Sequence, residues 1–404
     1  MSVPLDRLYN FLHDISDRAL LIYRWTPHGS KKLADLQLLE CEPDWRERSR
    51  PMMICHDQEP LFYELYSESD IRGQIMLQGK IDLESSGIKD WNQTQIDFLS
   101  RLHLRGLIYY SKLGTCDKIL ILHSEKRSTQ LQTYQDNGYV GVYWWSHAVI
   151  AADWFRYAPI DPKLIVNFDH VQRDFLIYNR AWSGTREYRL TFMHDLAQQQ
   201  LQSHCLTSFA EWDNDNHYLD HKFNNTGLAV DLSGLAQCFP ANTHDSNASA
   251  DYNNTDYHVT AIEVVLETLF DDSRLHLTEK TLRPIACGRP FMLMATHGSL
   301  QYLRDYGFRT FDGLIDETYD TITDPRARLQ AVVAEMSRIS ALSKTEKLSL
   351  WQQLYEIAAY NQRLFFSRSW QQSIYQEFTT NLSRAVGILD QYNNKAILDQ
   401  VCKL

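Results

Sequence analysis

The 404-residue sequence predicts an α/β protein of two doubly wound domains, and three observations carry that expectation. The chain is longer than one hydrophobic core usually serves. Short apolar runs of the kind that fill buried parallel strands recur along it. Amphipathic stretches lie between several of these runs, and strands alternating with helices build a parallel sheet covered on both faces.

Taken in order, a helical pattern at residues 5–17 leads into the apolar run 19–23. Similar runs follow at 51–55, 106–110, 118–122 and 139–143, with amphipathic stretches at 94–104 and 124–135. These make a first domain of residues 1–165. A second alternation opens with the run 175–178, a polar turn from Asn179 to Arg186 and a helical stretch at 188–200. Residues 211–257 are rich in Asn, Asp, His and Gly with few periodic apolar positions, which reads as a long surface excursion. A β-branched run at 257–266 follows, then a helix and a strand at 291–295. From Pro325 the pattern is helical. The second domain is set at 166–365, with C-terminal helices at 366–404.

Composition narrows the function. The apolar fraction of 44% and charged fraction of 23% are those of a globular protein. A net charge of -11 repels phosphate on average, so a nucleic-acid partner would need a local basic patch. Seven cysteines, scattered and without Cys-x-x-Cys or Cys/His ligand spacing, fit reduced thiols. The stretch Met1–Arg7 lacks the basic region and apolar run of a signal peptide, and no segment approaches a membrane-spanning length. The expected location is the cytoplasm.

The most informative stretch is EVVLETLFDDSRLHLTEKTLRPIACGRPF, residues 263–291. It reads as strand, loop, helix and strand. Thr278 suits an N-cap, Glu279 suits the positive helix end, and Gly288 with Pro290 is a stop signal. Helix N-termini in such sheets present N–H groups at the ligand crevice, where a diphosphate fits. Lys280 and Arg283 can add cationic contacts, and Glu279 can accept from both hydroxyls of a ribose. The alternative is a solvated first turn.

The segments Leu266-Glu267-Thr268, Leu277-Thr278-Glu279-Lys280 and Ala286-Cys287-Gly288-Arg289-Pro290 resemble the donor-binding signature of the α1,3-fucosyltransferase family, over about 30 residues. The resemblance implies the GT-B arrangement of two Rossmann-like domains and inverting transfer from a nucleotide-diphosphate sugar without a metal or other cofactor. It implies donor-binding roles for Glu267, Glu279 and Lys280. The chain departs from the family pattern at Thr268, where Asn is usual, and at Arg283-Pro284.

Arg180 or Arg186, after the first strand of the second domain, is similar in place to the family's diphosphate-binding basic residue. A guanidinium fork matches phosphate oxygens, although arginines in a turn are also ordinary surface. An inverting transfer needs a base, and His56-Asp57-Gln58-Glu59-Pro60, past an apolar run, is the candidate cluster. Glu59 is placed first, with Asp57 and His56 behind it; the alternative is a capped loop. Asp213-Asn214-Asp215 matches an Asp-x-Asp metal pattern but lies in a polar excursion. Asp271-Asp272 reads as a solvated turn. Tyr143, Trp144 and Trp145 are a stacking platform or core, and His123 and His147 read as scaffold. The expected partners are a nucleotide sugar and an acceptor glycan. Two alternatives are a hydroxymethylated DNA base as acceptor, and a non-catalytic binder of sugar or nucleotide.

Overall fold

A computed structural model describes residues 21–23, 52–55, 119–136, 140–156, 168–239 and 250–401. The chain divides into two units. One comprises Met1–Ser124, Ser128–Trp145 and Tyr375–Leu404; the other comprises Glu125–Arg127 and Ser146–Ile374.

The first unit holds the strands β1 (Leu21–Tyr23), β2 (Met52–Cys55), β3 (Ile119–His123) and β4 (Val140–Tyr143), with helix α1 (Thr129–Asp136). All pairs are parallel, and the described strands lie in sequence order β1-β2-β3-β4. Four of the five apolar runs in this part of the sequence are these strands. The fifth, at 106–110, and the helical patterns at 5–17 and 94–104 lie outside the described residues, as do His56, Asp57 and Glu59. Gly141 on β4 lets Leu131 of α1 pack close: a Cβ there would stand 2.3 Å from Leu131 Cδ1, and the leucine side chain would have to shift. Trp144 and Trp145 are fully buried, and Trp144 lies against Phe378 at 4.8 Å between ring centroids. Of the two readings of that aromatic run, core is what the fold uses for its tryptophans.

The second unit contains α2 (Ser146–Trp154), β5 (Arg173–Asn179), α3 (Tyr188–Gln198) and β6 (Cys205–Phe209), then a small hairpin, β7 (Trp212–Asp213) and β8 (Asn216–His217). After α4 (Leu235–Cys238) and α5 (Asn254–Val259) come β9 (Thr260–Leu266), α6 (Glu279–Ala286), β10 (Phe291–Met294) and α7 (Ser299–Asp305). The helices α8 (Pro325–Ser340) and α9 (Lys344–Phe365) follow, and α10 (Arg368–Val401) is divided between the units at Ile374 and Tyr375. The strand beginning expected at 257 starts at Thr260, because Asn253 caps a short helix by accepting from Thr255 N at 2.9 Å.

The second sheet is parallel with order β10-β9-β5-β6. The chain enters at β5, adds β6 on one side, then returns to add β9 and β10 on the other. The winding therefore reverses between β5 and β9, and the crevice at the carboxyl ends of these two strands is where ligands bind in such sheets. Right-handed crossovers running in opposite directions put α3 and α6 on opposite faces. Leu176 pairs with Glu263, and continuing that register sets Asn179 beside Leu266.

On the α6 face, Leu176, Tyr178, Tyr257 and Cys287 form a buried cluster. Within it Glu263 is ion-paired with Arg283 and accepts from the Tyr257 hydroxyl. A buried pair of this kind contributes little net stability, but removing one partner strands the other charge. Gly288 ends α6 at φ +63°, where Gln362 of α9 approaches and donates to Ala286 O at 2.8 Å. Cys205, Cys238 and Cys287 are free thiols. No helix among the described residues is long and apolar enough to cross a membrane.

Replacing Glu263 by Ala is expected to lower unfolding free energy by roughly 3–5 kcal/mol, while Glu263→Leu with Arg283→Met recovers most of it. Urea denaturation of the two variants checks this.

Candidate functional site

The site grows from one carboxylate. Glu267 follows β9 and is fully buried. Its oxygens accept from Thr278 N at 2.9 Å, Thr278 Oγ1 at 2.8 Å, Thr281 N at 3.2 Å, Thr281 Oγ1 at 2.5 Å and Thr268 N at 3.1 Å. A carboxylate offers about four lone-pair directions, so this one is saturated. It sits at the positive end of α6, where negative charge is favoured.

Two sequence expectations change here. Glu267 is a structural anchor for α6, with no oxygen left for a ligand. The N–H groups of Thr278 and Thr281 are occupied by Glu267, and Lys280 N bonds Thr278 Oγ1 at 3.3 Å, so α6 does not open as a ring of vacant donors.

What α6 presents instead is side chains. Thr278 is the N-cap, as expected, and is fully buried. Lys280 is partly exposed, and its Nζ lies 3.2 Å from Thr268 Oγ1, 3.1 Å from Thr278 Oγ1 and 2.9 Å from Glu279 Oε1. Thr268, which stands where the fucosyltransferase pattern has Asn, thus helps to aim the ammonium. Glu279 is buried, with its Oε2 3.2 Å from His147 Nδ1 on α2. The His276 ring meets that of His147 edge-on at 5.1 Å. His147, read from sequence as scaffold, is therefore a neighbour of the Glu279 carboxylate. Nothing in its local sequence pointed to this, because the two residues are 132 positions apart (279 minus 147).

Arg283 is corrected. It is buried, paired with Glu263 and packed over the Tyr178 ring at 4.8 Å, so it is a strut between helix and sheet and does not face a ligand. Burial is the largest influence and works against its charge, yet Glu263 together with the Tyr257 and Tyr178 hydroxyls raises its pKa.

At the end of β5, Arg180 is partly buried, donates to Asp251 O at 2.6 Å and lies 4.7 Å over the same Tyr178 ring. Burial and, after it, the nearby Arg283 charge lower its pKa. Asn179 beside it is fully buried, and neither its Nδ2 nor its Oδ1 has a hydrogen-bond partner among the described residues. An unsatisfied buried amide costs about 1–3 kcal/mol. Its signal in the sequence was a polar residue closing an apolar strand run. Arg189, also without a sequence-derived role, ties the two central strands at their ends, donating to Ala181 O at 2.5 Å and Leu266 O at 2.6 Å.

The loop from Arg180 to Glu187 is held by the stretch expected to be a surface excursion. Asp213 Oδ2 accepts from Trp182 N and Ser183 N, both at 2.7 Å. Buried Glu187 accepts from Asn224 N at 2.8 Å and Asn225 N at 2.7 Å. Tyr218, Leu228, Leu232, Leu235 and Phe239 in the same stretch are buried. The excursion is thus a buttress, and polar composition concealed its few core positions. Asp213-Asn214-Asp215 is the turn of the β7–β8 hairpin, with Asn214 at φ 48° and Asp215 at φ 63°. Two consecutive left-handed residues make the tight turn that matches strand twist. Arg186 is partly exposed and electrostatically coupled to Asp213. Asp271 and Asp272 also hold loops, accepting from Asn225 Nδ2 at 3.0 Å and Arg274 Nε at 3.0 Å.

No family model matches the chain, and a search of curated proteins also returns no match. A solved glycosyltransferase from Rickettsia africae ESF-5 is similar at 11% sequence identity, covering 92% of this chain and 98% of that one, with a TM-score of 0.37.

Exchanging Glu267 for Gln replaces an acceptor oxygen by a donor facing the two or three donors that oxygen now accepts from. It is expected to destabilise the protein by roughly 2–3 kcal/mol, read from thermal unfolding. Burial alone would raise the Asp213 pKa, but the Ser183 and Trp182 donors and the Arg186 charge bring it below the ordinary 3.8. Its stabilising contribution is therefore complete above that ordinary value and lost as pH falls through the lower, folded one. Carbon-detected titration of Asp213 should give a midpoint under 3.8, with loosening of the hairpin only in stronger acid.

Proposed function

We propose that this chain is a glycosyltransferase that holds a nucleotide-diphosphate sugar at the carboxyl ends of β5 and β9. The observation that carries the proposal is the Lys280 ammonium, partly exposed and fixed by Thr268, Thr278 and Glu279 beside the point where the sheet's winding reverses. Asn179, a buried amide without partners at the adjacent strand end, supplies a donor and an acceptor that a polar ligand would satisfy. The fucosyltransferase-like pairing of Glu279 with Lys280 agrees with this reading, and so does the α/β class.

In the proposed reaction the acceptor hydroxyl oxygen attacks the anomeric carbon of the sugar. The bond from that carbon to the diphosphate oxygen breaks, and a base takes the hydroxyl proton. Lys280, with Arg180 or Arg186, balances the charge that develops on the leaving diphosphate, so the scheme needs no metal. Glu279 holds the ribose, in exchange for its present contacts with Lys280 and His147. Glu59 is the proposed base, with Asp57 and His56 as the other candidates in that cluster. The two units would act as the donor and acceptor halves of a GT-B enzyme, with a glycan as the acceptor.

Calorimetry of the full chain against uridine, guanosine, cytidine and adenosine diphosphates, with chelator present, should reveal binding of at least one. Lys280→Ala should weaken it by about 1.5–3 kcal/mol, the scale of a charge-assisted hydrogen bond. If no nucleoside diphosphate binds, the proposal fails. Asn179→Leu should separate two effects: melting temperature unchanged or higher, because a stranded amide is removed, and nucleotide affinity lower.

A further inference from the structure

Trp212 differs from the other tryptophans described with it. Trp144, Trp145, Trp182, Trp351 and Trp370 are buried and Trp154 is half-buried, whereas Trp212 is 62% exposed. It stands on β7 of the hairpin whose Asp213 grips the loop after β5. A hairpin with two residues in each strand does not hold itself together in water. This one is fastened from outside. Asp213 takes the Trp182 and Ser183 N–H groups, and Asn214 Nδ2 donates to Ser183 Oγ at 2.8 Å. Asn216 Nδ2 closes the turn on Asn214 O at 3.1 Å, and Tyr218 N bonds Glu211 O at 3.0 Å. The indole is further steadied edge-on by the His217 ring at 4.9 Å. These fastenings hold the hairpin, and with it an indole that faces water.

We infer that Trp212 is a stacking platform for a neutral sugar ring at the rim of the β5-side site. The C–H face of a pyranose covers an indole, and its equatorial hydroxyls suit the exposed side chains of Asn214, Asp215 and Asn216. A protein partner would need a patch of about 800 Å² on this side. Trp212 and Leu219 are the exposed large hydrophobics among the described residues, and the residues that follow Trp212 in the turn, Asn214, Asp215 and Asn216, are polar and exposed. A phosphorylated nucleoside is disfavoured beside the indole by the exposed carboxylate of the turn, Asp215. The choice of a sugar rests on the glycosyl-transfer reading; the exposed indole does not.

The test uses the full chain labelled with 5-fluorotryptophan, in which the Trp212 resonance is assigned by its absence from Trp212→Phe. Methyl glycosides of glucose, galactose, mannose, fucose and N-acetylglucosamine are titrated in turn, and nucleoside diphosphates separately. At least one glycoside is expected to shift the Trp212 resonance saturably, and Trp212→Ala should weaken its binding about tenfold, the scale of one aromatic contact. Nucleoside diphosphate affinity should be the same in Trp212→Ala and the parent. Asp213→Asn, which keeps the indole and loosens its fastening, should also weaken the glycoside. The inference is overturned if no glycoside moves the resonance, if Trp212→Ala binds the glycoside as well as the parent, or if the resonance answers to a nucleoside diphosphate. Glycoside binding at Trp212 without any nucleoside diphosphate binding would support the platform while sinking the donor-site proposal.

Discussion

Glu267 is the group on which the geometry of the second unit depends. It is a carboxylate with no exposed surface, five donors around two oxygens and no cation among them. A charge in that position is tolerable because N–H and O–H dipoles replace its hydration, reinforced by the positive end of α6. The same bonds set the start of α6 against the end of β9. Thr268 and Thr278 are thereby placed around one ammonium, Lys280, and Glu279 is turned toward His147.

Carboxylates are used throughout this unit as internal fasteners. Glu263 neutralises Arg283 beneath α6, Glu187 holds the backbone of Asn224 and Asn225, and Asp213 holds that of Trp182 and Ser183. The net charge of -11 is therefore a poor guide to the field at the strand ends. The carboxylates of Glu267, Glu263, Glu187 and Asp213 are taken up by internal partners, while Lys280, Arg180 and Arg186 keep partial exposure, Lys280 beside the Glu279 carboxylate. An anionic leaving group would meet cations already oriented, which limits the reorganisation needed when charge develops. The β5–α3 loop is also fastened from outside, by Asp213 on Trp182 N and Ser183 N and by Asn224 N and Asn225 N on Glu187.

The strands were legible because a parallel strand buried on both faces writes itself as a continuous apolar run, and most of the runs became strands. The α6 boundaries were legible for local reasons as well: Thr278 caps, and Gly288 takes the left-handed conformation. Local signals failed where a residue's partner is distant in sequence. Nothing near Arg283 reveals that Glu263 lies one strand away, and nothing near Asp213 reveals that its oxygen meets the Trp182 and Ser183 N–H groups 30 residues earlier. The stretch 211–239 looked like an open excursion because its few core residues are spaced without period.

By itself, then, the sequence determined the α/β class, the strand runs, the capped helix at Thr278 and the clustering of Glu279 and Lys280 at its first turn. Those follow from period, capping and composition, which act over a few residues. Tertiary structure decided which charges are available to a ligand. It buried Glu267 and Arg283 as fasteners, left Lys280 at the strand ends, stranded the amide of Asn179 and held Trp212 in water. The physical reason is that burial and hydrogen-bond saturation are properties of neighbours in space, and a charge becomes structural or functional according to whether the fold has already given it a partner.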